Sequence, residues 1–322
     1  MTTFEHKNDV SIVVTVYNQP LPSVLRSLAS AAMQKGVGCQ IVIADDCSRR
    51  NETSRYADFL NYLGYKNYAV ARCEHNLQTV GNLVNAAQAC TGRFVKSLGA
   101  GDLLFERNTI SQLLAFCLDN SLRAAFGDYV AFTSKDLSGG HRYLAPTNKQ
   151  DYQVNAGGRV LPKTLLAHQL LCADWIPGGA QFFEKNVYER LLRTLYSDYS
   201  IRYCEDFAAT LFLFENCPCY AEAPAVWYEM DSGISTTVSV SSMKRLYRDH
   251  AHFYRSVAKS NPYHSRYLEA RLLFMIRKLV ATTPLYGMLR RQKNGQYASG
   301  DAIPFNDFYL DCCERVETYL ER

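Results

Sequence analysis

Two runs, SIVVTVY (Ser11 to Tyr17) and CQIVIA (Cys39 to Ala44) with the Asp45-Asp46-Cys47-Ser48 that follows it, carry the reading of the fold. Both are rich in β-branched residues and too short for a buried helix, the pattern of strands buried on both faces. Between them, Leu21 to Met33 has apolar residues at positions 21, 24, 25, 28, 29 and 32, a helical period. Working outward, Thr53 to Leu63 reads as a helix and Asn67 to Arg72 as a third strand. Thr79 to Cys90 reads as a helix stopped at Gly92, and Phe94 to Leu98 as a fourth strand ended by Gly99-Ala100-Gly101-Asp102. This alternation predicts an α/β fold, a mostly parallel sheet flanked by helices. Such sheets place ligands at the carboxyl ends of their strands, where Thr15, Asp45, Asp46 and Asp102 all fall.

Beyond residue 105 the pattern loosens. Asn108 to Leu118 reads as a helix, Ala124 to Thr133 as a strand, and Ser134 to Gly158, rich in Gly, Pro, Asn and Lys, as a long surface loop. Ile201 to Phe214 holds an acidic pair ahead of an apolar helix, and Val240 to Lys259 and Tyr263 to Leu289 are helical candidates. The expected organisation is one domain over 1–235, with a donor half at about 9–104 and an acceptor half at about 105–235, and a C-terminal helical region over 236–322.

The 322 residues suffice for a sizeable core, and 48% hydrophobic with 20% charged residues is an ordinary soluble composition. A net charge of +4 without basic clusters argues against a dedicated nucleic-acid binder. The eleven cysteines include no C-x-x-C pair, which argues against a zinc ribbon and points to a reducing cytoplasm. Met1 to Asp9 is polar, unlike a signal peptide, and no run approaches the ~18 apolar residues of a membrane span. Peripheral contact is the most membrane association this sequence predicts.

Four constellations carry chemistry. In Asp45-Asp46-x-Ser48, adjacent carboxylates can accept hydrogen bonds from a base N–H and a ribose hydroxyl, although Asp and Ser also build plain solvated turns. In Gly99-Ala100-Gly101-Asp102, the glycines let backbone approach a ligand and the acid can bind Mg²⁺ or Mn²⁺. Its plain alternative is a tight turn with Asp102 capping a helix. Cys204-Glu205-Asp206 offers a general base, or merely the acidic start of a helix. Asn76 to Asn85 sets Gln78, Asn82 and Asn85 along one helical face near the expected phosphate site, or along a solvated face.

Taken in order, these elements resemble the inverting glycosyltransferases of family 2, which have the GT-A fold. The likeness is clearest from Ser11 to Asp102. It runs through S-I-V-V-T-V-Y-N, I-V-I-A-D-D-C-S, N-L-Q-T-V-G-N-L-V-N-A-A and G-R-F-V-K-S-L-G-A-G-D-L-L. Trp175-Ile-Pro-Gly178-Gly179-Ala, Tyr203-Cys-Glu205-Asp206 and Trp227-Tyr228 resemble the family's acceptor half. The resemblance implies that Thr15, Tyr17 and Asn18 frame the nucleoside, that Asp46 with Asp45 holds base or ribose, and that Asn76, Asn82 and Gly101 also face the donor. It implies that Asp102 ligates Mg²⁺ or Mn²⁺ on the donor diphosphate, that Asp206 is the base, and that Glu205, Trp175, Gly178 and Gly179 meet the acceptor. The implied partners are a nucleotide-sugar, UDP on the family's base rate, and a saccharide or lipid-linked saccharide, with no nucleic acid. Two departures stand out. Gly99 and Gly101 leave Asp102 alone in the metal loop, and Gln78 stands where the family's N-x-G element has glycine.

Arg266 to Arg291 alternates apolar and basic residues, which suits an anionic membrane surface or, by our preference, packing on the domain or on a second copy of the chain. Two other functions fit the sequence less well. A nucleotidyltransferase would carry a glycine- and basic-rich phosphate loop after the first strand, which Thr15 to Pro20 lacks. A catalytically inert nucleotide-sugar-binding module would explain the thin metal loop but not the presence of Asp206.

Overall fold

The computed structural model describes residues 8–133, 135–136, 138–143, 146, 149–152, 176–206, 219–231, 245–246, 248–253 and 301–322. The amino-terminal part runs β1 (Asn8–Val16), α1 (Leu21–Ala32), β2 (Cys39–Asp45), α2 (Thr53–Tyr62), β3 (Tyr68–Arg72), α3 (Gln78–Ala89) and β4 (Gly92–Gly99). β1 pairs in parallel with β2 and β4, and β2 with β3. The register sets Val16 opposite Asp45 and Thr15 opposite Gly99, so the carboxyl ends of three strands open at one edge. Side chains explain the continuous apolar runs. Ile12, Val14, Ile41 and Ile43 enter one core, whereas Val13, Val42, Ala44 and Val95 enter the other. Each strand is buried on both faces because helices cover both.

The chain continues through β5 (Leu103–Leu104), α4 (Thr109–Asp119), β6 (Ala124–Phe132), β7 (Gly139–Tyr143), β8 (Gln181–Glu184), α5 (Lys185–Arg193), a π-helical turn over Thr194–Asp198, β9 (Cys219–Glu229), β10 (Ala302–Pro304) and α6 (Asp307–Leu320). The sheet order is β10-β7-β6-β8-β4-β1-β2-β3, and β9 pairs with β6 in parallel and with β5 antiparallel. β8 runs antiparallel to both β4 and β6, which makes the sheet mixed around a parallel centre. This is the expected α/β architecture, with a carboxyl-terminal helix added to it. α6 packs against α1, and its Tyr309 and the preceding Phe305 stack with ring centroids 3.9 Å apart.

Two expectations are corrected. The loop expected over Ser134 to Gly158 contains β7, paired to β6 and β10. Its glycines are a close-packing device, since a methyl group on Gly139 would overlap the Ile303 carbonyl. Second, Asn82 does not lie on an open amide face. It is buried and donates from Nδ2 to the Ala44 carbonyl at 2.8 Å, tying α3 to β2. The helix expected from Tyr263 and the basic segment Arg266 to Arg291 lie outside the described residues.

Candidate active site

The open edge of the parallel strands is built by two interlocked turns. After β1, Asn18 adopts φ +56, its N–H donates to Ser48 Oγ at 2.9 Å, and its Oδ1 accepts the Arg49 N–H at 2.9 Å. Tyr17 stands beside it, 47% exposed, while Thr15 is half-buried with its hydroxyl directed at the Leu98 carbonyl. After β2 the two aspartates diverge. Asp45 is fully buried, accepts the Ser48 N–H at 2.8 Å and pairs with Arg72 from β3. Asp46 is 4% exposed and accepts the Leu77 N–H at 2.6 Å, at the amino terminus of α3. Burial raises the Asp46 carboxyl above the usual range, opposed by the amides of Leu77 and Gln78. Asn76 is exposed at the same corner and accepts the Gln78 N–H at 3.0 Å. Gln78 itself sits at φ +67, so the chain keeps the left-handed backbone that glycine would favour there.

The Gly99–Asp102 loop closes on the same edge. The Ala100 N–H donates to the Thr15 carbonyl at 3.0 Å and the Gly101 N–H to Ser27 Oγ at 2.9 Å. Asp102, 6% exposed, accepts the Glu229 N–H at 2.9 Å. Burial pushes its carboxyl up to about 7 against the opposing pull of that amide and of Lys96. Lys96 is itself fully buried on β4, donates to the carbonyls of Ser97 and Gly179, and is lowered by burial to about 7. Neither Lys96 nor Glu229 has a local sequence signature. Glu229 is the last residue of β9, is 7% exposed, and pairs with Arg26 at 3.3 Å. Its carboxylate fills the space left empty by the missing side chain of Gly101, because a methyl group there would overlap Oε2 and lie 3.0 Å from Cδ. Two carboxylates thus meet at a loop where the sequence shows one. Among the described residues no group of three or more His, Cys, Asp or Glu could hold a metal alone. One hard carboxylate at a substrate edge still fits Mg²⁺ or Mn²⁺, which takes most of its ligands from phosphate and water.

The acidic pair reaches this edge through two glycines. A methyl group on Gly178 would lie 3.2 Å from Glu205 Oε1 and 3.5 Å from Asp206 Cβ. On Gly179 it would lie 3.7 Å from Asp102 Oδ2 and 3.7 Å from Tyr228 Cδ2. The short turn Gly178–Ala180 therefore separates Asp102 from Glu205 and Asp206 by a strip of bare backbone. Burial, then the neighbouring Asp206 charge, pushes the Glu205 carboxyl up to about 8. Trp175 lies outside the described residues.

The sequence model described as glycosyl transferase family 2 matches residues 11–171, which include the parallel strands β1 to β4 and Asp102. The chain belongs to that family. No curated protein matches this glycosyltransferase in sequence. Among solved structures it is similar to S. aureus TarS residues 1–349 in complex with UDP-GlcNAc, at 15% identity and TM-score 0.55, over 96% of this chain and 83% of that one. It is also similar to the mannosyltransferase PcManGT from Pyrobaculum calidifontis in complex with GDP-Man and Mn²⁺, at 13% identity and TM-score 0.51, over 97% and 85%. At these identities the likeness speaks for the GT-A fold. No helix among the described residues of the glycosyltransferase is long and apolar enough to cross a membrane.

Proposed function

We propose that this glycosyltransferase moves a hexose from a nucleotide-sugar, in first place a UDP-sugar, to a hydroxyl of a saccharide or lipid-linked saccharide, with inversion, in the assembly of a cell-surface glycan. The observation that carries the reading is the Gly178–Gly179 strip, which sets Asp102 on one side and Glu205–Asp206 on the other at the carboxyl edge of the sheet. That spacing suits an in-line displacement, with the leaving diphosphate on the Asp102 side and the acceptor hydroxyl on the Asp206 side. The donors in the TarS and PcManGT complexes support a nucleotide-sugar in this fold.

In this reading Tyr17, Asn18 and Thr15 frame the nucleoside, with Asp46 and Asn76 at the corner beside α3. Asp45, committed to Arg72 and the Ser48 amide, holds the turn in shape. Gly101 gives the donor close backbone approach, and Asp102 would hold Mg²⁺ or Mn²⁺. When bound, the ion would neutralise charge on the departing diphosphate. Burial and the neighbouring Asp206 charge hold the Glu205 carboxyl above the usual range, and Asp206 beside it is the group that would take the acceptor proton. Gly178 and Gly179 let the acceptor lie against backbone.

Incubation with Mn²⁺ and a panel of UDP-, GDP- and TDP-sugars should release nucleoside diphosphate with at least one donor. Asp206→Asn should bind that donor unchanged and lose on the order of 100-fold or more in turnover. Wild-type turnover by Asp206→Asn would remove Asp206 from the mechanism. Normal donor binding without release from any donor would leave an inert binding module.

A further inference from the structure

The acids Glu205 and Asp206 project from the end of a loop, Ile201 to Cys204, whose backbone is held from two sides. On one side the Ile201 N–H donates to the Leu195 carbonyl at 2.8 Å, and the Arg202 carbonyl accepts the Val80 N–H of α3 at 2.9 Å. The Arg202 guanidinium adds a bond to the Tyr196 carbonyl at 3.0 Å and lies 3.9 Å from the centre of that ring. On the other side stands a single side chain. Asp249, 3% exposed and some 45 residues further along the chain, accepts three successive amides on one oxygen: Arg202 at 3.0 Å, Tyr203 at 2.5 Å and Cys204 at 3.2 Å.

We propose that Asp249 is a positioning residue for catalysis, fixing through these three amides where Glu205 and Asp206 stand relative to the donor edge. The inference rests on Asp206 being the base. Its physical basis is the mismatch between cost and location. A carboxylate taken out of water is stable only where donors converge on it, and three backbone amides supply that convergence. They belong to the residues immediately before Glu205, so any displacement of the loop passes to the acids without an intervening hinge. The other end of the loop is tied to α3, at whose amino terminus Asp46 sits. The acid pair and the nucleoside corner are thus referred to one rigid frame. A misplacement of about 1 Å at a reacting group can cost on the order of 100-fold in rate.

A purely structural clamp makes a different prediction from a positioning one. Glu205 faces Asp206 beside it, Asp249 across the loop, the Cys204 thiol and the Tyr188 ring of α5. The Asp249 charge is one of the groups that disfavour ionisation of Glu205. Asp249→Asn removes that charge while keeping one acceptor oxygen, and Asp249→Glu keeps the charge while lengthening the arm. Turnover of the best donor should be followed for both variants, with UDP affinity by calorimetry and amide exchange of Arg202, Tyr203 and Cys204 measured alongside. In Asp249→Asn, turnover should fall by on the order of 100-fold with donor KM and UDP affinity unchanged, and the three amides should exchange faster. Asp249→Glu, which keeps the charge, should recover part of the lost turnover. Faster exchange with wild-type turnover would make Asp249 a structural clamp only and overturn the proposal. Absence of turnover from every donor in the wild type would overturn the glycosyl-transfer reading and the catalytic role of Asp249 with it. The exchange data would still say separately whether the clamp exists.

Discussion

Replacing Gly101 by alanine tests whether Glu229 fills the space beside the Gly101 backbone. Two costs add. Gly101 has φ +110, a backbone region that an L side chain enters at about 1–3 kcal/mol. The new methyl group would also overlap Glu229 Oε2 and stand 3.0 Å from Cδ. Glu229 can yield only by swinging away from Arg26 and from its buried seat, for another ~1–3 kcal/mol of the kind that overpacking costs. The expected loss is therefore roughly 2–6 kcal/mol. Urea denaturation of four proteins separates the parts: wild type, Gly101→Ala, Glu229→Ala and the double variant. In the Glu229→Ala background the overlap is gone and the alanine costs strain alone, giving a coupling energy of about 1–3 kcal/mol. A loss below ~1 kcal/mol for Gly101→Ala would mean that the loop relaxes freely. Equal losses in both backgrounds would mean that Glu229 does not fill the site, whatever the strain.

At Gln78 the left-handed backbone is held by a residue with a β-carbon, so Gln78→Gly should stabilise the protein by about 1 kcal/mol in urea denaturation. A destabilised variant would show that the Gln78 side chain contributes more than its strain removes. Glu205 gives a stability prediction with a definite sign. Its folded carboxyl is raised from 4.5 to about 8, so the native state keeps a proton that the unfolded chain releases in between. That contribution to stability falls as pH rises through this window and is not regained above it. Glu205→Gln cannot titrate and should flatten the decline between pH 5 and 8. An unchanged slope would mean that Glu205 ionises normally in the fold.

The parallel centre of the sheet is legible because each strand there is buried on both faces, and that condition writes itself as an unbroken apolar run such as Ile12 to Val14. The site edge is legible for a related reason, since the carboxylates Asp45, Asp46 and Asp102 stand where those runs end. What is not legible has no local pattern. Lys96 sits in the middle of a strand as one cation, Glu229 ends β9 as one acid, and Asp249 is one aspartate in a helical stretch. Each acquires meaning from partners that only the fold brings near: Gly179, the loop around Gly101, and three amides of the Arg202 loop. Periodicity also misleads where a polar group is satisfied inside. Asn82 reads as a surface amide by spacing, but a side chain that can donate to the Ala44 carbonyl is as stable facing the sheet. The same limit governs the chemistry. Glu205 and Asp206 are adjacent and equivalent as letters, and either could be written down as a base. What distinguishes them is placement: burial raises the Glu205 carboxyl above the usual range, and the bare Gly178 backbone and the Asp249-clamped loop set where both acids stand. The proposed choice of Asp206 as base is therefore a question about the fold around the pair, which Asp206→Asn answers directly.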